Sequence, residues 1–324
     1  ALEYAFGLPL WLGYIVSAVA VIPLVTYGIT WISRFQLATQ PFWIVLNILP
    51  FVFIAFTDWQ AISVWLGFAG IDPTTQLPRT EGGSWQDISL VQFGAAAAVI
   101  LALMAQIGEQ VDFLRFLPAQ EQKHRRHKLA LFLAGPGWVV LGAPKMIAGS
   151  FLAVLVLSHG VPVEHADEPS RMYTVAFGYM IPNETVVLIL MAVFVVVAQL
   201  KINVMNAYAG SLAWSNFFSR LTHSHPGRVV WLVFNVTIAL LLMELGIYKL
   251  LEETLGVFSI VAMAWLSAIS ADLFINKPLG LAPPGIEFKR AHLFDINPVG
   301  TGSMLLAAGI ALVAHFGHFG ETAA

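Results

Sequence analysis

Long apolar runs recur along the whole of this chain, and they constrain its fold more than any other feature. A run of about 18 or more apolar residues is long enough to cross the hydrocarbon core of a bilayer as a helix. Backbone polar groups cannot stay unpaired in hydrocarbon, so each such run must be helical. The alternating segments of about ten residues that mark the strands of a membrane barrel are not seen. With 58% hydrophobic and 11% charged residues, the chain is predicted to be an all-α polytopic membrane protein.

The apolar runs predict about eight transmembrane helices. Their predicted limits are 8–32, 42–58, 89–108, 129–157, 184–208, 229–248, 254–275 and 298–316. The fourth span contains Gly135-Pro136-Gly137 and Pro144, which predict a tilt or a kink rather than a straight rod. Residues 172–182 are predicted to form a short helix before the fifth span.

Basic residues are concentrated in every second predicted loop, whereas the other loops are mainly acidic. The basic set comprises Arg34, Arg115, Lys123, Arg125, Arg126, Lys128, Arg220, Arg228, Lys277, Lys289 and Arg290. By the positive-inside rule these loops, including 276–296, are predicted to be cytoplasmic. Loop 58–88 is then external, either as a cap on the outer face or as a solvated linker.

The whole chain, 1–324, is expected to be one membrane domain. It begins Ala1-Leu2-Glu3-Tyr4, without Met and only a few residues before the first span. We therefore expect it to be a piece of a longer polypeptide.

Several functions are not supported by the composition. The chain has no cysteine, which excludes disulfides and thiolate metal sites, and its nine histidines do not show the spacing of a zinc site. No basic cluster with interleaved aromatic residues indicates binding to nucleic acid. We see no catalytic constellation, and we expect no enzymatic activity, no metal and no cofactor.

Polar side chains interrupt the end of the fifth predicted span. Gln199, Asn203 and Asn206 are spaced i, i+4 and i+7 and form one helical stripe, here called the amide stripe, which continues to Gly210. Amide groups that faced lipid would be unsatisfied, so the stripe must face protein or water. Because amides both donate and accept hydrogen bonds, the stripe suits a planar heterocyclic ligand or an amide ligand. The alternative is a set of interhelical amide bonds that only hold the bundle together.

Two lysines lie inside the predicted spans. Lys201 is off the amide stripe, and at membrane depth it needs a carboxylate or several carbonyl groups, or it loses its proton. A fixed ammonium group can also stand where a sodium ion would otherwise bind. Lys145 lies beside Pro144, where snorkelling of its side chain towards the membrane surface accounts for it better than it does for Lys201.

The third span ends in a polar sequence. Gln106 and Glu109 share a helical face by their i, i+3 spacing, with Gly108 between them and Asp112 one turn further on. One interpretation is a broken helix whose backbone and side chains line a cavity. The other is that Glu109 and Asp112 lie at the membrane interface and pair with Arg115.

Three sequence segments carry a family resemblance: AQIGEQVDFLR (105–115), NVMNAYAGSLAW (203–214), and ADLFINKP (271–278) followed by FDINPVG (294–300). Their order resembles the nucleobase–cation symporter family, which comprises purine–cytosine and allantoin permeases. Over nearly the whole chain the similarity is closer still to the permease-like membrane module of bacterial hybrid sensor histidine kinases. The resemblance implies a multi-pass protein of the bacterial inner membrane.

The resemblance also implies a LeuT-like inverted-repeat bundle, with the eight spans corresponding to helices four to eleven. On that mapping the chain holds only part of a ligand site. Gln106 and Glu109 are similar to the polar break in helix six, and Asn206, with Asn203 as its neighbour, to the helix-eight amide that contacts the ligand.

Lys201 and Ile202 stand where sodium-coupled members of the family carry hydroxyl residues. In addition, no aromatic residue stands near Val99 and Ile100, where one would stack on a base. Both departures weaken the case for sodium symport. A tethered ammonium group at Lys201 would make the site independent of sodium or lock it as a receptor, and we expect ligand binding that does not need sodium.

Three functions remain open at this stage. The first is a secondary transporter, embedded in the lipid bilayer, for a nucleobase-like or related small polar heterocycle. The second is a ligand-sensing input module that reports to a cytoplasmic kinase domain of the same polypeptide. The third is a structural membrane subunit of a larger complex.

Overall fold

The computed structural model describes residues 1–81, 90–116, 124–135, 137–223, 226–246, 248–287, 289, 292, 294 and 296–317. Within these ranges the regular secondary structure is helical, apart from one isolated β-bridge between Ile71 and Pro78. The α-helices are α1 (Leu2–Phe6), α2 (Leu10–Thr26), α3 (Ile29–Thr57), α4 (Trp59–Leu66), α5 (Leu90–Leu103), α6 (Gln110–Leu114), α7 (Arg125–Ala134), α8 (Trp138–Ser158), α9 (Pro169–Gly178), α10 (Glu184–Thr222), α11 (Arg228–Glu244), α12 (Tyr248–Ala271) and α13 (Pro298–His315).

By length and composition, four helices of the described chain are long and apolar enough to cross a membrane. They are Ile29–Thr57, Glu184–Ser219, Leu255–Asn276 and Pro298–His315. Shorter apolar helices lie at Leu10–Thr26, Ala96–Gln106 and Gly142–Ser158. The prediction of an all-α chain is confirmed for the described residues. Four helices are long and apolar enough to cross a membrane, fewer than the predicted number of about eight.

The predicted limits of the first two spans, 8–32 and 42–58, are wrong. The chain breaks earlier, at Gly28, which has a positive φ of 81°, and α3 then runs without interruption from Ile29 to Thr57. Arg34, assigned to a loop by its charge, therefore lies within a helix. The segment looked like a loop because it is polar, but two of its polar residues are used in a contact with α10 that is described below.

The third and fourth predicted spans are both interrupted. The fourth span is divided into α7 and α8, with the break after Ala134, while Pro144 lies inside α8. Pro136 itself lies outside the described residues. At the end of the third span, α5 changes to a 3-10 helix at Met104–Glu109. The short helix predicted at 172–182 is present as α9.

The helix of the fifth predicted span is much longer than expected. α10 contains 39 residues instead of ending near residue 208, which corresponds to a length of about 58 Å. Its start is fixed by Asn183, whose side chain accepts a hydrogen bond from the backbone N–H of Val186 at 3.1 Å. Polar residues in its second half explain why a hydropathy argument ended the span too early.

The helices form two compact units. The first comprises Ala1–Ser84 and Asp112–Gly246, and the second comprises Trp85–Val111 and Ile247–Ala324. In the first unit, α10 packs against α2 and α11 around Val204 and Leu232, and against α3 and α9 around Phe177 and Phe194. α10 is therefore the central helix of this unit.

The beginning of loop 58–88 also packs in the first unit. α4 lies on α8, where Trp65 Nε1 donates to Ser150 Oγ at 3.1 Å and the Trp65 ring meets Phe151 edge to face. Residues 59–66 are therefore not a solvated linker. The part of the loop from 82 to 88 lies outside the described residues.

In the second unit, α12 packs against α5 and α13. Small residues allow close packing here, since a Cβ atom at Gly256 would lie 3.1 Å from His315 Cε1. α12 continues into a π-helical turn at Asp272–Asn276. Lys277 Nζ then donates to the backbone oxygen of Gly285 at 2.7 Å, which holds the start of loop 276–296 in a folded conformation.

Candidate ligand site

Lys201 lies at the centre of the first unit and is only 8% exposed. Its Nζ donates to the backbone oxygen of Gln36 at 3.0 Å and to Thr39 Oγ1 at 3.0 Å. Among the described residues no carboxylate forms an ion pair with it. The ammonium group is thus held by neutral oxygen atoms, and we call Lys201, Gln36 and Thr39 the lysine clamp.

The lysine clamp joins α3 and α10 in both directions. Gln36 Nε2 donates to the backbone oxygen of Lys201 at 2.9 Å, while Thr39 Oγ1 donates to the backbone oxygen of Phe35 at 2.7 Å. Thr39 Oγ1 therefore uses its hydrogen within α3 and offers a lone pair to the ammonium group. A hydrogen bond to a charged group contributes about 1.5–3 kcal/mol, but removing an ammonium group from water costs several kcal/mol. The clamp therefore fixes the register of the two helices more than it adds net stability.

The amide stripe lies on the opposite side of α10 from Lys201, as the 3.6-residue helical repeat requires. Gln199 Nε2 donates to Asn203 Oδ1 at 2.9 Å, so two members of the stripe bond to each other. Gln199 and Asn206 are exposed, and Asn203 is half-buried. Asn206 forms no side-chain hydrogen bond within the described part of the chain. The stripe thus presents on one face two amides that bond to each other, Gln199 and Asn203, and one open amide, Asn206.

The end of the stripe is covered by α11. A Cβ atom at Gly210 would lie 2.9 Å from Asn235 Oδ1, so glycine permits the side chain of Asn235 to lie directly on α10. Trp214 Nε1 donates to the same Asn235 oxygen at 3.0 Å. Asn235 was not predicted to belong to this polar face. A lone asparagine in the apolar sequence of α11 was the available signal.

A polar line along α3 was also missed. Beyond the lysine clamp, Asn47 Nδ2 donates to the backbone oxygen of Trp43 at 2.8 Å, and Asn47 Oδ1 accepts from Tyr173 Oη at 2.9 Å. Burial raises the pKa of Tyr173 to about 12, so this hydroxyl remains a donor. Lys145 Nζ lies 4.9 Å from the centre of the Trp43 ring, within the range of a cation–π interaction.

Gln106 and Glu109 belong to the second unit, whereas the amide stripe and the lysine clamp belong to the first. Both residues lie in the 3-10 turn, where Gln106 is exposed and Glu109 is half-buried. Gly108 lies between them, and a Cβ atom there would meet the Trp265 ring at 3.4 Å. The α-helix is thus interrupted at this position, and the contacts of Gln106 and Glu109 are stated only within the second unit.

Asp112 lies in the short helix α6, where burial raises the pKa of its carboxyl and the nearby Arg115 opposes that rise. No ion pair within 4.0 Å joins Asp112 to Arg115 among the described residues. The Arg115 guanidinium therefore acts on the Asp112 carboxyl electrostatically from more than 4.0 Å, without a direct ion pair.

The chemistry of the site is hydrogen bonding. In the described ranges, no three His, Asp or Glu side chains are grouped so that they could hold a metal ion. An open apolar groove of about 350 Å³ lies on α13, lined by Leu305, Leu306, Gly309, Ile310 and Val313. It includes no residue of the amide stripe or the lysine clamp. In comparisons with known proteins, no protein family, no curated protein and no solved structure matches this chain.

Proposed function

We propose that this chain is the ligand-binding part of a secondary transporter of the nucleobase–cation symporter type, with a LeuT-like bundle in the bacterial inner membrane. It binds a small, polar, nucleobase-like heterocycle at the amide stripe. Binding does not require sodium. The proposal is supported by the resemblance in sequence and, above all, by one observation: the open amide of Asn206 on an apolar helix that is long enough to span a membrane.

The side-chain amide of Asn206 would be energetically costly without a hydrogen-bonding partner. An amide placed in an apolar medium without a hydrogen-bonding partner costs roughly 2–7 kcal/mol. Gln199 and Asn203 reduce that cost by bonding to each other at 2.9 Å, whereas Asn206 has no such partner in the described part of the chain. A ligand with adjacent donor and acceptor atoms can bond to both the oxygen and the nitrogen of this amide. A nucleobase edge has this pattern.

Independence from sodium is supported by the lysine clamp. A backbone carbonyl and a hydroxyl oxygen are the kinds of ligand that hard cations take in proteins. In this chain the two oxygen atoms are already bonded to the Lys201 ammonium group, each at 3.0 Å. The Lys201 ammonium group thus takes the place of a bound sodium ion. Affinity for the ligand should therefore not depend on sodium.

Binding of radiolabelled nucleobases and related heterocycles to the purified chain tests the proposal. We expect at least one of them to bind, and we expect Asn206→Ala to weaken that binding about tenfold or more, as for a lost hydrogen bond in a buried site. Asn216→Ala is the matched control, because Asn216 is an exposed asparagine on another face of the same helix. Equal effects of the two substitutions would contradict a site at the stripe.

Sodium and turnover are tested with the same ligand. Its affinity should be unchanged when sodium is replaced by choline, and a steep dependence on sodium would contradict the assigned role of Lys201. Uptake into proteoliposomes then separates transport from sensing. Binding without accumulation would favour the input module of a sensor kinase, and failure of the whole panel to bind would favour a structural subunit.

A further inference from the structure

Four helix ends meet around three polar side chains of the first unit. Asp58 lies between the last residue of α3 and the first residue of α4, His159 follows the last residue of α8, and Tyr179 follows the last residue of α9. We call Asp58, His159 and Tyr179 the helix-end cluster. It shares no residue with the amide stripe or the lysine clamp.

Tyr179 connects the other two members of the helix-end cluster. Its Oη donates to Asp58 Oδ2 at 2.7 Å and lies 3.4 Å from His159 Nε2. Asp58 Oδ1 accepts from the backbone N–H of Ala61 at 3.1 Å, which caps the start of α4. Displacement of Tyr179 would therefore disturb α4 as well as α9.

The hydrogen bonds determine where the protons lie. His159 Nδ1 is 2.8 Å from the backbone oxygen of Leu155, and a carbonyl oxygen only accepts, so Nδ1 carries a hydrogen atom. In the neutral ring Nε2 is then a lone pair. The hydroxyl hydrogen of Tyr179 is directed to Asp58, its shorter contact. In the neutral state two lone pairs, on Nε2 and Oη, thus face each other with no hydrogen atom between them.

We propose that the helix-end cluster is a proton-binding site. A proton taken from solvent by His159 Nε2 creates an N–H group that donates to Tyr179 Oη. The Tyr179 hydroxyl continues to donate to Asp58 Oδ2, and Nδ1 continues to donate to Leu155. One proton is added, no other bond is broken, and the unfavourable contact of two lone pairs becomes a hydrogen bond donated by a cation to the Tyr179 oxygen.

The position of His159 at a helix end and the state of the Tyr179 hydroxyl both fit this arrangement. His159 caps the C-terminus of α8, and its backbone N–H bonds to the backbone oxygens of Leu155 and Val156, so the positive ring lies at the negative end of the helix dipole. Burial, together with the hydrogen bond to Asp58, raises the pKa of Tyr179 above its usual range. The Tyr179 hydroxyl therefore keeps its hydrogen atom, and its oxygen is available to accept a hydrogen bond from His159 Nε2–H.

In the described part of the chain, no other charged group of the surrounding elements bonds to the cluster. On α3 the charged residue is Arg34, whose guanidinium lies 5.8 Å from the centre of the Trp31 ring. α4 carries no charged residue, and the charged residue of α8 is Lys145, which lies on Trp43. Before and within α9, His165 Nδ1 lies 2.7 Å from Glu168 Oε1, and Arg171 Nε lies 3.6 Å from Glu168 Oε2. The remaining acidic groups of that segment, Glu164 and Asp167, do not bond to the cluster. The titratable groups joined to His159 are thus Tyr179 and, through it, Asp58.

Acidification should therefore tighten the contact between these helix ends. Thermal unfolding of the whole purified chain, followed between about pH 8 and about pH 5 where histidine titrates, tests this. We expect the wild-type midpoint, relative to that of His159→Gln, to rise by about 2 °C or more towards pH 5. We expect at least half of that rise to disappear when both proteins also carry Tyr179→Phe.

His165→Gln is the matched control, because it removes another histidine of the same unit. Its effect at each pH should be the same with and without Tyr179→Phe. The proposal is overturned if the wild type and His159→Gln follow the same pH profile, or if their difference persists in full without the Tyr179 hydroxyl.

A second measurement covers the case in which Tyr179→Phe does not fold. Amide hydrogen exchange at the ends of α3, α8 and α9, corrected for the pH dependence of chemical exchange, should slow at the acid end in the wild type. In His159→Gln it should not slow. Equal protection in the two proteins would also overturn the proposal. Both experiments are independent of whether the chain binds a heterocycle.

Discussion

The lysine clamp predicts that removing the charge is less harmful than removing one of its partners. Thr39→Val deletes one of the two oxygen atoms bonded to the Lys201 ammonium group, each at 3.0 Å. The ammonium group then stays buried with one fewer hydrogen bond, at a cost of about 1.5–3 kcal/mol. At about 2 °C per kcal/mol for a chain of this size, the unfolding midpoint should fall by about 3–6 °C.

Lys201→Met removes the charge together with its desolvation cost and nearly preserves the volume. Replacing a buried ionic group by an apolar one of similar shape is often neutral or stabilising by about 1–4 kcal/mol. Thr39 Oγ1 still donates to Phe35, and Gln36 Nε2 still donates to the backbone of residue 201. We therefore expect an unchanged or higher midpoint, and almost no further loss when Thr39→Val is added to Lys201→Met.

The assay is thermal unfolding of the two single variants and the double variant in the same detergent. Thr57→Val is the matched control, because Thr57 lies on α3 and makes the same bond to the fourth preceding carbonyl, at 2.8 Å, but does not contact Lys201. The reasoning is refuted if Lys201→Met destabilises the chain more than Thr39→Val does. It is also refuted if Thr39→Val costs the same with and without the lysine.

Two further predictions concern packing and pH. Gly210→Ala should destabilise the chain by about 1–3 kcal/mol, because the new methyl group would lie 2.9 Å from Asn235 Oδ1. Gly149→Ala is the control: a Cβ atom at Gly149 would have no neighbouring atom within 4 Å, so this substitution should be neutral or slightly stabilising in the same unfolding assay. The pKa of Tyr173 is raised from 10.0 to about 12. The contribution of the neutral Tyr173 hydroxyl to the free energy of unfolding is therefore complete below about pH 10 and should be lost as the pH rises towards 12. Tyr173→Phe should flatten the alkaline loss of stability in that window, and an unchanged slope would show that burial of this hydroxyl is not the cause.

Local signals in the sequence predicted the helices well. The division of 129–157 into α7 and α8 follows from Gly135-Pro136-Gly137, which cannot continue a helix. The short helix before α10 and the change of helix type at Met104–Glu109 were likewise predictable from residues close to the break. In each case the cause and the effect lie within a few positions of each other.

The errors arose where the deciding partner is distant in the sequence. Residues 33–41 looked too polar for a span. Their polar side chains Gln36 and Thr39 are in fact bonded to Lys201, which is more than 160 positions away in the sequence. The helix-end cluster brings Asp58 together with Tyr179, 121 positions later. Periodicity shows which face of a helix is polar, but it does not show what that face meets.

The proposed ligand site requires that water reaches the side chain of Asn206, and labelling of a single cysteine measures this. The chain has no cysteine of its own, so Asn206→Cys and the control Val193→Cys, at an exposed apolar position of the same helix, can be compared in native membranes. A thiol reacts with a hydrophilic maleimide only where water allows the thiolate to form. We predict that the variant at 206 is labelled and that the variant at 193 is not. Equal resistance of the two positions to the reagent would place Asn206 in lipid or in a sealed helix contact and would contradict the account.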